Sequence, residues 1–382
     1  MTRHTNFLLS TIAALPHSSG GTDWRVVRGD CLATLPLLPK KSVDLIFADP
    51  PYNLQLKGEL YRPNMTRVNG VDDDWDKFES FEAYDKFCLQ WLTECRRILK
   101  DSGTMWVIGT YHNIGRLGRL MQDAGYWLLN DVIWHKSNPM PNFRGVRFTN
   151  ATETLIWAKK SEKSKYTFNH HCMKTENGGK QMTNVWSFSL CGGKERLRDV
   201  EGNKLHSTQK PEALLRRVIL SSSKVGDVVL DPFLGSGTTL AVARQLGRLG
   251  VGIENNKCYL GAAIKRIKSV KINLVNNEIG HKKILRVAFK KLIEKGYIKK
   301  GRKVYCKKEK TTATVLQSGK LKLNGIHNIS GSIHQMGAKA ANSEECNGWN
   351  YWYLREEKKL VSINEIREKY RNAFPEEVSD GR

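Results

Sequence analysis

Two acidic turns have the residue types needed to hold a ligand by rigid hydrogen-bond acceptors and close backbone contacts. The first, Asp49-Pro50-Pro51-Tyr52, directly follows the apolar run 43–48. Consecutive prolines fix the backbone, so its carbonyls become rigid acceptors beside the carboxylate. In an open parallel sheet, ligands bind beyond the carboxyl ends of strands. Asp and Pro are also common turn residues, but Pro-Pro and an aromatic residue directly after a buried strand favour a functional site.

The second acidic turn is Asp231-Pro232-Phe233-Leu234-Gly235-Ser236-Gly237-Thr238-Thr239, which follows another apolar run and precedes a helix. Its two glycines allow a ligand to approach the backbone, and the helix start offers free N–H groups. Glu254 ends a further strand about twenty residues later, where it could accept both hydroxyls of a ribose. The Gly-x-x-x-x-Gly-Lys-Ser/Thr phosphate loop is absent, which argues against nucleotide hydrolysis.

Together the two turns resemble the hallmarks of the DNA amino-methyltransferases, which use S-adenosylmethionine: Asp-Pro-Pro-Tyr and Phe-x-Gly-x-Gly. The order, with the catalytic motif first, is that of the β class. The similarity narrows to the cell-cycle-regulated adenine-N6 methyltransferases that modify GANTC, and it covers about residues 22–370. Thr152 and Ser207 depart from the family, which usually has His and Pro there. The segments that carry the resemblance are Gly29-Asp30-Cys31, DPPYNLQL (49–56), NPMPNFR (138–144), HSTQKPE (206–212), Gly331-Ser332-Ile333-His334 and Cys346-Asn347-Gly348-Trp349.

The resemblance implies methyl transfer to adenine N6 in double-stranded DNA by base flipping, without a metal. The Asp49 carboxylate and the Pro50 carbonyl would accept the N–H groups of the amine, and Tyr52 would stack on the extruded purine. Around the cofactor, Glu254 would bind the ribose and Asp30 would lie near the adenine amine. The catalytic set is Asp49, Pro50, Pro51 and Tyr52, and the cofactor set is Asp30, Cys31, Lys210, Asp231, Phe233, Gly235, Ser236, Gly237, Thr238 and Glu254.

Three groups of residues are candidates for DNA contact. Leu56 and Leu60, with Arg62 beside them, could fill the gap left by a flipped base. Arg144 and Arg147, near Asn142, could read guanine edges or bind phosphates. In the family-specific C-terminal segments the candidates are Ser332, Asn347 and Trp349. The alternating aromatic residues 349–353 are equally consistent with a core.

The elements that must position these residues are short apolar runs alternating with amphipathic helices. This pattern predicts an α/β fold with a doubly wound, mostly parallel sheet. The resemblance implies that the sheet is of the methyltransferase type and that a smaller C-terminal α+β DNA-binding module follows. Helices are expected at 81–99, at 212–221, from Ser236 to Gly247 and at 363–370. Strands are expected at 24–28, 43–48, 104–109, 128–134, 154–158, 228–230 and 250–253.

Length and charge divide the 382 residues into parts. The expected parts are an N-terminal extension (1–21), a catalytic domain (22–280) with an inserted target-recognition region around 136–206, a basic linker (281–310) and the DNA-binding module (311–382). The formal net charge is +24, and residues 281–310 contain 13 Lys/Arg against 2 Asp/Glu. Such a field favours polyanions, of which nucleic acid is the first candidate.

Eight scattered cysteines without metal-ligand spacing, and the lack of a long apolar segment, predict a cytoplasmic protein without membrane or metal partners. The resemblance implies that it is associated with the nucleoid. A homodimer is expected from the family alone. Methylation of cytosine N4, RNA adenine or a protein glutamine remains an alternative, although Asp49 favours adenine because cytosine-N4 enzymes usually have Ser there and glutamine enzymes Asn. A non-catalytic DNA-binding protein is a second alternative. A dehydrogenase ranks last, because the glycine spacing does not match a dinucleotide fingerprint.

Overall fold

The structure is a computed structural model, which describes residues 3–54, 60–61, 67–68, 76–142, 145–273, 287–306, 311–325, 329–356 and 359–374. The chain divides into two compact units, Met1–Lys282 and Lys283–Arg382. Within the described residues, no helix is long and apolar enough to cross a lipid bilayer.

The first unit is built on a nine-stranded sheet with the order β1-β2-β11-β10-β3-β6-β8-β7-β9. The five strands β2, β11, β10, β3 and β6 are parallel neighbours, whereas β1 and β8 run antiparallel to the strands beside them. The strands of this unit are β1 (Ser18–Gly20), β2 (Trp24–Arg28), β3 (Val43–Ala48), β4 (Leu60–Tyr61), β5 (Arg67–Val68), β6 (Leu99–Gly109), β7 (Trp127–Lys136), β8 (Thr152–Lys159), β9 (Val185–Phe188), β10 (Val228–Asp231) and β11 (Leu249–Glu254).

Helices cover both faces of this sheet, because its central strands are apolar on both sides. In β3, Ile46 packs with the α3 side and Leu45 with the α6 side, in two separate cores. Ser80 caps α3 by accepting from the Ala83 N–H at 3.1 Å. The helices are α1 (Arg3–Ala13), α2 (Cys31–Thr34), α3 (Phe81–Ile98), α4 (Ile114–Asp123), α5 (His170–Glu176), α6 (Glu212–Ser222), α7 (Thr238–Gln245) and α8 (Lys257–Ser269). The predicted α/β class is confirmed.

Residues 1–21 are not a separate extension, in contrast to the prediction. Leu8 and Ile12 of α1 are fully buried in the core below the sheet, and β1 pairs with β2. One helical turn separates the two side chains, so they form one apolar stripe. The N-terminus is therefore part of the first unit.

The predicted insertion at 136–206 is also divided. Strand β8 lies inside the main sheet, hydrogen-bonded to β6 and β7, and β9 extends that sheet at its edge. Its antiparallel direction allows β8 to join the sheet without a crossover helix. Part of the segment 136–206 therefore belongs to the main sheet.

The second unit is an antiparallel six-stranded sheet with the order β15-β14-β13-β12-β16-β17, packed against helices. Its elements are α9 (Phe289–Glu294), β12 (Lys303–Cys306), β13 (Thr312–Val315), β14 (Leu321–Leu323), β15 (Ser330–Gly331), α10 (Ile333–Ala341), α11 (Gly348–Tyr351), β16 (Trp352–Glu356), β17 (Lys359–Ser362) and α12 (Ile363–Ala373).

The predicted linker 281–310 is therefore wrong over residues 287–306. Phe289, Leu292 and Val304 are buried in the core of the second unit. The many lysines between these apolar residues obscured them in the sequence, because a basic composition does not show which apolar side chains face a core. The α+β unit begins before residue 311.

Removal of the buried methyl groups of α1 is expected to destabilise the first unit. Leu8→Ala should lower the free energy of unfolding by about 2–5 kcal/mol because it leaves a cavity in the core. Phe7→Ala is the matched control, since Phe7 is 63% exposed. Urea denaturation of both variants measures the difference; equal stabilities would contradict the packing of α1.

Candidate active site

A cavity of about 480 Å³ lies at the carboxyl edge of the main sheet. Four neighbouring strands, β2, β11, β10 and β3, end at this cavity. They contribute respectively Asp30, Glu254, Asp231 and Asp49 to its wall. Because parallel strands all end at the same edge, the two predicted acidic turns are brought together although they are about 180 residues apart.

Asp49 is held by two hydrogen-bond donors. The Lys210 ammonium donates to Oδ2 at 2.7 Å, and the Tyr52 hydroxyl donates to Oδ1 at 2.9 Å. A carboxylate has about four acceptor positions, so each oxygen can still accept a further N–H group. Burial raises the pKa of Asp49, while the neighbouring Lys210 opposes that increase. Burial would lower the pKa of Lys210, but Asp49 and Glu153 raise it above its usual value, so the ammonium stays charged.

Glu153 extends this group into a buried charge network that the sequence analysis missed. Its Oε2 lies 3.2 Å from the Tyr52 hydroxyl, and its Oε1 lies 2.9 Å from the Lys136 ammonium. Lys136, Glu153 and Lys210 are at most 9% exposed. Burial raises the pKa of Tyr52 well above its usual value, and the Asp49 and Glu153 carboxylates add to this increase. Tyr52 therefore remains a phenol that can donate to either carboxylate.

The antiparallel direction of β8 explains why Glu153 reaches the site. The second residue of β8 lies at the edge where the parallel strands end, and Lys136, the last residue of β7, lies at the same edge. A search of the sequence for polar residues that follow strands finds Asp49. It misses Glu153, because Glu153 lies at the start of a strand. The signal was an acidic residue within an otherwise apolar segment.

A third carboxylate fixes the shape of the first acidic turn. Asp76 accepts from the backbone N–H groups of three successive residues, Tyr52, Asn53 and Leu54. Asn53 adopts a left-handed conformation with φ of 51°. A single carboxylate receiving three backbone donors restrains this conformation, which non-glycine residues adopt with strain.

The carbonyl of Pro51 is also occupied. It accepts from the Tyr84 hydroxyl at 2.7 Å, and Asn113 in turn donates to that hydroxyl at 3.1 Å. The preceding residue, Pro50, lines the cavity. Tyr84 thus anchors the turn through Pro51, and the Pro50 carbonyl belongs to the part of the turn beside the cavity.

The second acidic turn is shaped by Glu254. Its carboxylate accepts from the Gly235 N–H and the Asn256 N–H, each at 2.7 Å. Gly235 has a φ of 50°, and a Cβ atom there would lie 2.8 Å from Nε2 of His206. A side chain at this position would therefore strain the backbone and meet the wall of the cavity.

The cavity is rich in carboxylates, although the whole chain is basic. Asp30, Asp49, Asp76, Asp231 and Glu254 line it, against the single charged ammonium of Lys210. Burial raises the pKa of Asp231 to about 7, and Asp49 and Glu254 add to this. Burial together with Lys210 and Arg196 lowers the pKa of His206, which also lines the cavity, to about 4. Asp231 is thus partly protonated near neutral pH, but the other carboxylates still outnumber the Lys210 ammonium, so the interior favours a cationic ligand over an anion such as phosphate.

Most of the predicted catalytic and cofactor residues meet at this cavity. One of them does not line the cavity, and one is paired with a residue of the catalytic set. Gly237 does not line the cavity; its backbone approaches Ala263 of α8, where a Cβ atom would lie 2.8 Å from the Ala263 Cβ. Lys210, predicted to bind the cofactor, is paired with Asp49. The predicted residues that line the cavity are Asp30, Cys31, Asp49, Pro50, Pro51, Tyr52, Lys210, Asp231, Phe233, Gly235, Ser236, Thr238 and Glu254.

Two of these residues have additional local roles. Asp30 caps α2, because its Oδ1 accepts from the Leu32 and Ala33 N–H groups at 2.8 and 3.2 Å. Its other carboxylate oxygen is not used in that cap. Burial and the neighbouring Asp30 raise the pKa of Cys31 to about 12, so Cys31 is a thiol and not a nucleophile.

Part of the predicted DNA-contact set lies outside the described residues, namely Leu56, Arg62 and Arg144, and only the backbone of Leu60 is described. Arg147 is exposed and donates to the hydroxyl of Tyr111 at 2.9 Å. Asn142 lies in the same segment, where its carbonyl accepts from the Gly145 N–H. Tyr111 is an exposed aromatic residue that the sequence analysis missed.

The predicted contacts in the second unit have structural roles. Ser332 caps α10 in a reciprocal arrangement with Gln335, and Asn347 caps α11 by accepting from the Trp349 N–H at 3.2 Å. Trp349 packs against Phe289, and the Arg367 guanidinium lies 4.5 Å from its ring centre. The aromatic alternation at 349–353 does not share one strand face, because α11 ends at residue 351 and β16 begins at 352.

Comparisons with known proteins agree with this geometry. Residues 43–265 match a family model described as DNA methylase, and residues 276–376 match one described as Restriction Enzyme Adenine Methylase Associated. The chain is 49% identical over 352 residues to the Type II methyltransferase M.HinfI of Haemophilus influenzae, covering 91% of this chain and 96% of that protein. It is 42% identical over 245 residues to the Type II methyltransferase M2.DpnII of Streptococcus pneumoniae, covering 64% and 89%.

Among solved structures, the cytosine-N4-specific PvuII DNA methyltransferase is similar in fold. Its TM-score is 0.51 at 22% sequence identity, and the match covers 67% of this chain and 90% of that one.

Neutralising Glu153 should destabilise the first unit, because it leaves the Lys136 ammonium buried without its partner. We expect Glu153→Gln to cost about 3–5 kcal/mol of unfolding free energy, and the double variant Lys136→Met/Glu153→Gln to regain much of it. Glu94→Gln, which breaks the partly exposed pair with Arg97, should cost about 0–1 kcal/mol. Urea denaturation compares the variants; equal losses for both single variants would contradict the buried network.

The raised pKa of Asp231 predicts a stability that depends on pH. The folded chain keeps a proton that the unfolded chain releases above its ordinary pKa of 3.8. The corresponding stabilisation is complete below pH 3.8 and is lost as the pH rises to about 7, by about 1.4 kcal/mol per pH unit. Asp231→Asn should therefore gain stability relative to wild type between pH 5 and pH 7. Urea denaturation at several pH values measures the stability of each variant relative to wild type, with the exposed Asp123→Asn as control. A stability difference for Asp231→Asn that does not change with pH would contradict the prediction.

Proposed function

The chain belongs to the DNA methylase family, and we propose that it transfers a methyl group from S-adenosylmethionine to the N6 amine of adenine in double-stranded DNA. The observation that carries this proposal is the acidic turn 49–52 at the edge of an electronegative cavity formed by four parallel strand ends. The match of residues 276–376 to an adenine-methylase-associated module supports the choice of adenine.

The amine of adenine is a weak nucleophile because its lone pair is delocalised into the ring. Asp49 and the Pro50 carbonyl act as acceptors for its two N–H groups, which favours a more tetrahedral nitrogen and stabilises the positive charge that develops there. S-adenosylmethionine, when bound, would supply the methyl group, and the N6 amine would give up one proton as it is methylated. The buried Asp49 carboxylate, with its raised pKa, is placed to receive that proton.

The residues around the cavity fit a sulfonium nucleoside. When bound, this cofactor supplies an activated methyl group with a good leaving group. A cavity of about 480 Å³ lies in the usual range for such ligands, and its five carboxylates favour a cation over the phosphates of a dinucleotide. Glu254 would accept the ribose hydroxyls, Asp30 would lie near the adenine amine, and the turn at Phe233, Gly235 and Thr238 would surround the methionine portion.

In this proposal the hydroxyl of Tyr52 belongs to the charge network and its ring stacks on the extruded purine. Its hydroxyl donates within the charge network, its ring is buried, and the Lys210 ammonium lies 5.3 Å from the ring centre. A purine that leaves the duplex and stacks on Tyr52 would have to approach the face opposite Lys210. Base flipping therefore brings the amine to the same carboxylate that the Tyr52 hydroxyl contacts.

The finer parts of the proposal rest on the family-specific segments. We propose GANTC as the target sequence and membership of the cell-cycle-regulated branch from the segments 138–144, 206–212, 331–334 and 346–349. The 49% identity to a Type II methyltransferase over nearly the whole chain supports a site-specific enzyme. Homodimer formation and association with the nucleoid are further parts of this proposal.

Asp49→Ala should reduce methyl transfer by at least about 100-fold, because it removes an acceptor aimed at the developing charge. Transfer of tritiated methyl groups is measured on two duplexes that differ only at the GANTC adenine. Asp123→Ala, which removes an exposed carboxylate from α4, is the control.

Two further readouts separate binding from chemistry. S-adenosylmethionine binding to Asp49→Ala, measured by calorimetry, should survive, and 2-aminopurine placed at the target position should still brighten on binding. Retained turnover would contradict the role of Asp49, and transfer to cytosine would contradict the choice of adenine. Unchanged 2-aminopurine fluorescence in the wild-type complex would contradict base flipping.

A further inference from the structure

The sheet of the second unit has one buried face and one open face. Alternate residues of its central strands are buried: Val304, Cys306, Ala313, Val315, Leu321, Leu323, Trp352 and Leu354. The residues between them point to the other side, since successive side chains of a strand alternate. We define the open face as Lys303, Tyr305, Thr312, Thr314, Lys322, Tyr353 and Arg355, which are exposed or partly exposed.

The strand register aligns these side chains in two rows. In the first row, Lys303 lies opposite Thr314, which lies opposite Lys322. In the second, Thr312 lies opposite Tyr305, which lies opposite Tyr353. The two lysines are thus separated by one intervening strand, or about 10 Å at the backbone.

The open face contains three cations and no carboxylate at its seven described positions. The Arg355 guanidinium lies 4.8 Å from the centre of the Tyr305 ring, which holds it over the sheet. Its backbone carbonyl accepts from Arg302 at 2.8 Å, so a further cation lies near the same edge.

We propose that this open face binds the phosphate backbone of double-stranded DNA. The inference rests on the proposed function and adds the surface through which the second unit holds the substrate. Two lysines about 10 Å apart suit phosphates on either side of a groove about 6–12 Å wide. The hydroxyls of Tyr305 and Tyr353 are neutral groups that can contact phosphate oxygens between the cations.

The positions that the sequence selected for DNA contact in this unit are not part of the open face. Ser332 and Asn347 are used as helix caps, and Trp349 packs in the core. Those residues shape the unit, whereas Lys303 and Lys322 lie on the side of the sheet opposite its core. Because phosphate contacts carry no sequence information, the face raises affinity for any duplex and leaves the target sequence to the first unit.

The test compares two double variants of the full chain that remove the same charge. Lys303→Thr/Lys322→Thr alters the open face with residues suited to strands. Lys339→Ala/Lys369→Ala removes two exposed lysines from α10 and α12. Binding of a fluorescein-labelled duplex is measured by anisotropy between 50 and 300 mM salt, with GANTC and with a scrambled sequence.

The open-face variant should bind both duplexes about tenfold more weakly, and its slope of log Kd against log salt should be smaller by about 1.8, for two lost phosphate contacts. The control variant should match wild type, and the turnover number at saturating DNA should not change in either. Thermal unfolding identifies any misfolded variant; in that case Lys303→Gln/Lys322→Gln replaces it.

Equal weakening by both double variants would show a general effect of net charge and overturn the proposal. Unchanged DNA binding by the open-face variant would also overturn the proposal. The same holds if that variant binds single-stranded RNA more weakly but binds the DNA duplex as wild type does. Failure of the proposed function is distinct: wild type would then bind DNA with a steep salt dependence but transfer no methyl group to it.

Discussion

The first unit depends on keeping the Asp49 carboxylate charged and oriented where little water reaches it. Burial alone would favour its protonated form, and the Lys210 ammonium at 2.7 Å opposes that tendency. Lys210 is itself acceptable in this environment only because Asp49 and Glu153 offset its burial. Lys136 is paired with Glu153 at 2.9 Å, which links a second buried ion pair to the first. Such a group is costly to assemble but restricts Asp49 to a narrow range of positions.

The backbone around this carboxylate is restrained from a second direction. Asp76 collects three N–H groups from the turn, and Tyr84 anchors the Pro51 carbonyl. A chemical step that relies on two acceptors aimed at one amine needs this stiffness, because small displacements weaken directed hydrogen bonds. The network of side chains and the clamp on the backbone thus serve the same requirement.

The distribution of charge separates two tasks. The chain as a whole is strongly basic, which suits a polyanion. Carboxylates outnumber the one charged lysine in the lining of the cavity, which suits a cationic ligand better than an anionic one. On the second unit's sheet, cations stand on one face while the apolar residues are confined to the other. In the function we propose, attraction of DNA and binding of a sulfonium cofactor use different parts of the molecule with opposite potentials.

The sequence by itself determined the α/β class, the strands that precede both acidic turns, and the residue types at their ends. Hydrophobic periodicity and turn chemistry are local, so they can be read without knowledge of the fold. The tertiary structure decided which distant residues share the site. Glu153 and Lys136 reach it because β8 runs antiparallel, and Lys210 pairs with Asp49 across 161 positions. The integration of α1 and of residues 287–306 into cores also depended on packing partners that no local pattern specifies, since burial is a property of the assembled chain.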